Sequence, residues 1–244
     1  MKKGLSQEQL KLIACITMLI DHIGAVIMAQ LYRQTRIPAL LEIYDLMRLI
    51  GRISFPIYCF LLAEGAAHTK DPKKYALRLT LGALLAEIPY DLAFYGGLTW
   101  SKQSVMVTLL LGFCALVLME KKDHMLWKLA MALPFALAAK YLRTDYGANG
   151  ILLIVLFGLS RELPYRQLCQ ALGIWFVFSP GHKMFLNWFA GIKATVQEWA
   201  VLAMVPICLY NGEKHSRSKA LQWGFYLFYP VHLLALYGIR LLIG

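Results

Sequence analysis

The sequence predicts an all-α fold, a polytopic transmembrane helix bundle, and three observations lead to this class. The 244-residue chain is 59% hydrophobic and only 16% charged, which is typical of integral membrane proteins. Its apolar residues form long runs rather than the alternating pattern of a membrane β-barrel strand. Several runs approach the roughly 20 residues that a helix needs to cross a bilayer core. We therefore expect the lipid bilayer to be the main surroundings of this chain.

The apolar runs divide the chain into about nine predicted spans, with eight to ten as the range. In order, these spans are 10–32, 47–67, 75–96, 104–120, 125–141, 146–160, 164–180, 195–211 and 220–243. The intervening stretch 181–194 mixes aromatic and basic residues, which is typical of a membrane interface. Because no internal repeat or linker interrupts the chain, residues 1–244 are predicted to form a single domain.

The distribution of basic residues predicts the orientation of the spans. Lys and Arg are more frequent in the loops on the N-terminal side than in the loops on the other side, so the N-terminus is expected to be cytoplasmic. The first apolar run is too long for a signal peptide and is expected to remain as a span. These features predict a multi-pass protein of the inner (cytoplasmic) membrane, whose C-terminus is outside if the number of spans is odd.

Charge and motif content argue against several other classes. The net charge is +11, but most cations lie in short loops between spans, so no nucleic-acid partner is expected. The five cysteines are scattered singly, and no HxxxH or CxxC pattern occurs, so no metal site is expected. The sequence also lacks the GxSxG elbow of a serine nucleophile.

The first span carries the most informative polar residues of the chain. Asp21 and His22 lie near its centre, where an ionisable residue is costly and indicates function. Lys11 precedes His22 by eleven residues, which is close to three full turns, so both lie on one helix face about 16 Å apart along the axis. One helix is therefore predicted to present a cation at its end and an imidazole at mid-depth.

Further charges occur in the second and third spans, which are predicted to form a hairpin about residue 71. An antiparallel arrangement places Glu64 level with Arg78. The same register places Arg52 between Glu87 and Asp91 on the facing helix. These charges are interpreted first as structural ion pairs that keep buried groups satisfied.

Arg48 and Arg52 allow a second interpretation. They are four residues apart on one helix, an arrangement that is repulsive unless anions are near. One of the two arginines is then expected to face a cavity and to bind an anionic group.

A second intramembrane histidine, His232, lies in the last predicted span, close to Tyr229. Because His22 and His232 are both near the middle of their helices, they are expected to lie at similar depth. A neutral imidazole has a pKa near 6.5 and is suited to proton abstraction near neutral pH.

Motifs along nearly the whole chain resemble the TraX family of membrane proteins. The opening segment, LKLIACITMLIDHIG at 10–24, matches that family's pattern of LKxIAxxxMxIDHxG. The later segments fit in the same order: RLIGRISFPIYCFLLAEGAAHT (48–69), YALRLTLGALLAEIPYDL (75–92), VMVTLLLG (105–112), DYGANG (145–150), LYNG (209–212) and FYLFYPVHL (225–233).

The resemblance implies an acyltransferase. Founding members of the TraX family acetylate the N-terminus of a conjugative pilin. The family is distantly similar to membrane acyltransferases of the acyltransferase-3 type, which carry Arg or Lys, then ten residues, then His in the first span. Lys11 and His22 fit that spacing, and the aromatic-Pro-His element is present as Tyr229, Pro230 and His232.

The implied reaction is transfer of an acetyl group from acetyl-CoA, without a metal, to an amine or hydroxyl of a peptide or small-molecule acceptor. His22 is expected to act as general base, either for direct transfer or in an acetyl-histidine relay. Asp21, Tyr229 or His232 is expected to orient the imidazole.

Cations are the predicted binding partners of the donor. Those expected to bind the CoA phosphates on the cytoplasmic side are Lys11, Lys73, Lys74 and Arg78. Arg48 or Arg52 is expected to stabilise the oxyanion.

Two other functions remain open from the sequence. A small-molecule or proton-coupled transporter would use Asp21, His22, Glu87 and Asp91 as a proton relay. A membrane scaffold or chaperone for a secreted peptide would need none of these groups for chemistry.

Overall fold

The computed structural model describes residues 4–121, 124–178, 196–213 and 218–244. Within these ranges the chain is helical with no β-strand, which confirms the predicted all-α class. In order, the helices are α1 (Gln7–Ile23), a π-helix (Gly24–Met28), α2 (Ala29–Thr35), α3 (Pro38–Gly51), α4 (Ser54–His68), α5 (Pro72–Tyr95), α6 (Val105–Met119), α7 (Met125–Tyr141), α8 (Gly147–Ser160), α9 (Arg166–Phe178), a 3-10 helix (Val196–Ala203), α10 (Met204–Cys208) and α11 (Lys219–Leu242). The stretch 181–194, predicted to be interfacial, lies outside the described residues.

Three helical stretches in the described part of the chain are long and apolar enough to cross a membrane. They are Gln7–Thr35, Pro38–His68 and Ala220–Leu242. Shorter apolar helices cover Val105–Met119, Gly147–Ser160 and Gln197–Cys208. The membrane-helix class is thereby supported, and the count of about nine spans stays a prediction.

Helix α3 occupies a region that was predicted to be a loop before the second span. It begins at Pro38, at a first-turn position where the missing N–H costs no hydrogen bond. The predicted span 47–67 is divided, because α3 ends at Gly51 and α4 begins at Ser54. Pro56 has no N–H to donate to the carbonyl of Arg52, and its ring clashes with that carbonyl, so a break is favoured here.

The chain folds as two compact units. The first contains Met1–Tyr58, Pro89–Gly97 and Ile174–Gly244, and the second contains Cys59–Ile88 and Leu98–Gly173. These units are defined by contacts within the structure, and a single domain over residues 1–244 stays a prediction.

The start of α1 in the first unit is fixed by hydrogen bonds of two kinds. Ser6 and Gln9 form a capping box, in which each side chain accepts from the other residue's backbone N–H. Leu5 donates to the carbonyl of Leu209 over 2.7 Å, and Asn211 donates to the carbonyl of Leu5 over 2.9 Å. The LYNG segment therefore anchors the end of α1 that precedes Lys11.

Helices α1, α2 and α11 pack in parallel. Near their N-terminal ends, the Lys11 ammonium lies 5.4 Å from the Phe225 ring centroid. Further along, Arg240 Nε donates to Gln30 Oε1 over 3.1 Å. In these two contacts the residue numbers increase in the same direction along both chain segments, from Lys11 to Gln30 and from Phe225 to Arg240. Gly244 therefore lies at the opposite end of this unit from the start of α1.

The second unit is held together by small side chains between α6, α7 and α8. Its buried cluster consists of Ala115, Met119, Ala132, Ala136, Ala139, Ile151 and Val155. At Gly112 a Cβ atom would overlap the side chain of Ile154, so α6 and α8 approach as closely as they do only with glycine there. Such small-residue contacts are typical of helices that pack within membranes.

Candidate active site

The two intramembrane histidines form a direct pair in the first unit. His22 lies in the last turn of α1, and its Nδ1 is 2.7 Å from Nε2 of His232 on α11. The ring planes differ by only 9°, and the nitrogens are much closer than the ring centroids at 5.0 Å, so the rings meet edge to edge. Both residues are buried, at 9% and 6% exposure. The expectation that the histidines share one depth is confirmed, whereas their chemical role stays a prediction.

The hydrogen bonds of His232 assign the protonation of both neutral rings. Nδ1 of His232 lies 2.7 Å from the carbonyl oxygen of Phe228, which only accepts, so Nδ1 carries the proton. Nε2 of neutral His232 is then an acceptor, and Nδ1 of His22 donates to it. Nε2 of neutral His22 is therefore the unprotonated nitrogen, with a lone pair available as a base.

Aromatic side chains hold the His22 ring on two sides. Tyr229, a predicted site residue, is buried and contacts His22 edge to face at 6.0 Å between centroids. It also contacts His232 at 5.6 Å. Phe94 of α5, which was not predicted, packs at 5.3 Å and nearly perpendicular to His22. These rings fix the imidazole orientation and surround it with apolar surface.

Asp21 is bound by two arginines of the neighbouring helix α3 and its end. Arg48 Nη1 donates to Oδ2 over 2.5 Å, and Arg52 Nη2 donates to Oδ1 over 2.6 Å. The Asp21 and Arg52 side chains are 11% and 6% exposed, whereas that of Arg48 is 25% exposed. Both arginines therefore form ion pairs, as the structural interpretation predicted, and Asp21 is a carboxylate partner that the predicted register did not include.

Asp21, Tyr229 and His232 were the three residues predicted as alternatives for orienting the imidazole of His22, and they lie on different sides of it. Successive residues of an α-helix point about 100° apart. Asp21 consequently faces α3, while His22 faces α11. Of these three, His232 is hydrogen-bonded to His22, and its orienting role stays a prediction.

Two carboxylates of the second unit have partners that the predicted hairpin register did not include. Glu64, expected level with Arg78, lies 3.7 Å from Arg161 at the end of α8. Glu87 accepts from the backbone N–H of Ser104 over 3.0 Å and from its hydroxyl over 2.6 Å. Glu87 therefore helps to hold the residue that precedes α6.

The predicted donor-binding cations are distributed over both units. Lys11 belongs to the first unit, on the α1 face that also carries Cys15 and His22. Its ammonium lies over the ring of Phe225. Asp91, predicted as a cavity charge, is buried in the same unit at 7% exposure.

Lys73, Lys74 and Arg78 belong to the second unit, at the start of α5. Lys74 lies 3.2 Å from Asp71 in an exposed ion pair. Hydrogen bonds from the backbone and side chain of Lys74 hold the pKa of Asp71 below its ordinary value. Arg78 lies 5.3 Å from the ring centroid of Tyr75. The donor-binding role of these cations stays a prediction.

Comparison with known proteins identifies the family. A family model described as TraX protein matches residues 6–240. The chain belongs to the TraX family. A TraX-like relative from Dichelobacter nodosus, named probable fimbrial assembly protein FimC of serogroup H1, is 27% identical over 254 residues. The alignment covers 97% of this chain and 96% of the relative. No solved structure matches the chain.

The stretch that matches the TraX model contains the histidine pair and the Asp21 cluster. Among the described residues, no group of three or more His, Cys, Asp or Glu side chains is placed to hold a metal ion.

Gly51 is a further residue of the TraX-family site, and sequence analysis did not single it out. A Cβ atom at Gly51 would overlap the carboxylate of Asp21. We expect Gly51→Ala to lower the free energy of unfolding by about 1–3 kcal/mol, because overpacking would displace a carboxylate that two arginines bind. Thermal unfolding in detergent would measure this, with Gly97→Ala as control because that position has open space around its Cβ. Equal stability of the two variants would contradict the close packing.

Proposed function

We propose that this TraX-family protein is an integral membrane acetyltransferase that moves an acetyl group from acetyl-CoA to an amine or hydroxyl acceptor. The observation that supports this most directly is the buried chain of hydrogen bonds from the Phe228 carbonyl through His232 to His22. This chain presents Nε2 of His22 as a base and provides an acceptor for the proton on Nδ1. A purely structural histidine needs no such second imidazole.

In the proposed reaction, the acceptor nitrogen or oxygen attacks the acetyl carbonyl carbon while Nε2 of His22 takes its proton. The carbon–sulfur bond then breaks, and CoA leaves as a thiolate that regains the proton from His22. His232 stabilises the transient imidazolium by accepting the hydrogen bond from its Nδ1. An amine acceptor attacks only when neutral, so a buried neutral base is suited to this step.

Arg48 is the better placed of the two arginines to stabilise the oxyanion. Its side chain is about four times as exposed as that of Arg52, at 25% against 6%, so a bound ligand can approach it more easily. Arg52 is further restricted, because its Nε donates to the carbonyl of Arg48. We assign Arg52 to holding Asp21 and Arg48 to the reacting carbonyl oxygen.

Lys11 is proposed to bind a phosphate of the donor. It lies three turns before His22 on the same face of α1, so a bound thioester would extend along this face toward the base. We expect Lys11→Ala to weaken acetyl-CoA binding about tenfold, which corresponds to the loss of one charge-assisted hydrogen bond. Binding to purified protein in detergent would measure this, with exposed Lys140→Ala as control. Unchanged affinity in Lys11→Ala would remove Lys11 from the donor site.

The proposed acceptor is the N-terminal amine of an exported fimbrial or pilin-like peptide. The name of the Dichelobacter nodosus relative, a probable fimbrial assembly protein, supports this choice. The protein would act in the inner membrane, with acetyl-CoA entering from the cytoplasm.

A direct test uses the purified protein in vesicles with radiolabelled acetyl-CoA. The acceptor is a synthetic peptide with the N-terminus of the host's major fimbrial subunit, beside the same peptide with a blocked N-terminus. Label transferred only to the unblocked peptide would support the proposal. No transfer, together with proton flux in the absence of CoA, would instead favour a transporter.

A further inference from the structure

The second unit contains a groove that the proposed reaction does not use. It has a volume of about 190 Å³ and lies where α4, α6 and α8 end and α7 begins. Its apolar walls are formed by Ala63, Ala66, Ala67, Leu116, Met119, Met125, Gly158 and Leu159. Four of these positions carry only alanine or glycine, and a Cβ atom at Gly158 would overlap the side chain of Leu116.

Charged side chains line the same groove. Lys128 and Arg161 are the cations, and Glu120 and Glu162 are the carboxylates. Arg161 also lies 3.7 Å from Glu64 through its Nε, while a guanidinium has five N–H donors in all. The groove therefore offers donors to an anionic group and acceptors to a cationic group, without an excess of positive charge.

Neighbouring exposed residues place this groove at a membrane surface. Trp127 in the first turn of α7 and Tyr165 just after the end of α8 are 61% and 73% exposed. Exposed Trp and Tyr side chains at helix ends are typical of the level of lipid headgroups. Met125 and Leu126 are also exposed beside the groove and provide apolar surface for acyl chains.

We propose that this groove binds the headgroup of a zwitterionic phospholipid with a primary ammonium, phosphatidylethanolamine. Lys128 and Arg161 bind the phosphate, while Glu120 and Glu162 accept hydrogen bonds from the ammonium. The volume equals that of about six water molecules in the liquid, which suits a headgroup but not a whole lipid. The acyl chains then lie outside the groove, along the exposed apolar side chains of α7.

The charge pattern distinguishes this lipid from its common alternatives. An anionic phosphatidylglycerol would satisfy the cations, but its glycerol hydroxyls are neutral donors, so it brings no positive charge to the carboxylates. Phosphatidylcholine has a quaternary ammonium without N–H groups, so it could not donate to Glu120 or Glu162. Preference for phosphatidylethanolamine follows because its ammonium forms charge-assisted hydrogen bonds with the carboxylates while its phosphate forms them with the cations.

The test measures the affinity of the full chain in detergent micelles for dioleoyl lipids with ethanolamine, choline or glycerol headgroups, by native mass spectrometry. We expect phosphatidylethanolamine to bind about tenfold more tightly than either alternative. Lys128→Gln is expected to weaken its binding about tenfold, which corresponds to one charge-assisted hydrogen bond. Lys140→Gln, at the other end of the same helix and away from the groove, should leave it unchanged.

Arg161→Gln gives a second measurement, although loss of the contact with Glu64 can also reduce the stability of that variant. Lys128→Gln keeps the test decisive if Arg161→Gln does not fold. Equal binding of the three lipids, tighter binding of phosphatidylglycerol, or unchanged binding of phosphatidylethanolamine in Lys128→Gln would each overturn the proposal.

Discussion

The His22→Ala variant is expected to lose acetyl transfer by a factor between ~10² and ~10⁴, the usual contribution of general acid–base catalysis. The physical reason is that Ala removes Nε2 of His22, the unprotonated ring nitrogen whose lone pair is not used in the hydrogen bond between the two histidines. The initial rate of label transfer from acetyl-CoA to the acceptor peptide, at equal amounts of inserted protein, measures the loss. Acetyl-CoA affinity is expected to stay within about twofold of the wild type, because Lys11 is unchanged.

Two companion variants make this result specific. His124→Ala removes an exposed histidine just before α7 and should retain full activity. His232→Leu removes the acceptor for Nδ1 of His22 but leaves the base, so a smaller loss of about tenfold is expected. A folded His22→Ala protein that transfers acetyl groups at more than a tenth of the wild-type rate would exclude His22 as the general base.

The histidine pair shows how much a local pattern can predict. The eleven-residue spacing of Lys11 and His22 defines a helix face without any knowledge of the fold. The depth of His232 within the last span made its meeting with His22 a reasonable prediction, although the two residues are 210 positions apart. What spacing could not provide was the tautomer, because that depends on the carbonyl of Phe228 and on which ring nitrogen faces it.

The partners of Arg48 and Arg52 show where this reasoning fails. The predicted register assumed one continuous helix through 47–67, folded back on the third span about residue 71. In the structure that helix breaks at residues 52 and 53, where Arg52 and Ile53 donate to carbonyls three residues earlier. Both arginines consequently belong to the end of α3, which packs on α1 rather than continuing α4. Pro56 was the signal for this break, since a proline displaces the carbonyl four residues before it.

The ends of other helices could not be inferred for a related reason. Glu64 meets Arg161 because α8 ends beside α4, a tertiary neighbour relation that no sequence spacing encodes. In contrast, the start of α8 at Gly147 agrees with the predicted span 146–160, and glycine suits this position because its φ of 49° is rarely adopted by residues with a side chain. Local backbone preferences were thus predictable, and the choice among distant charge partners was not.

The largest expected effect on stability comes from Asp21→Ala. This change leaves the guanidinium groups of Arg48 and Arg52 beside one another without the carboxylate that both of them bind. Removing one partner of a buried ion pair typically costs 3–5 kcal/mol, and here two cations lose the same partner. We expect a loss of about 3–5 kcal/mol in the free energy of unfolding, measured by denaturant titration of the detergent-solubilised protein.

Arg48→Met should cost less than Asp21→Ala, because Arg52 remains bound to Asp21 and the more exposed cation of the cluster is the one removed. Asp71→Ala provides a surface control, since its pair with Lys74 is exposed and such pairs contribute little to stability. If Asp21→Ala were no less stable than Asp71→Ala, the contacts of Arg48 and Arg52 with Asp21 would not contribute to stability.

Asp21→Ala is expected to lose both activity and stability, whereas His22→Ala is expected to lose activity while its fold is retained. That contrast separates the residue that holds α3 against α1 from the residue that is proposed to move the proton.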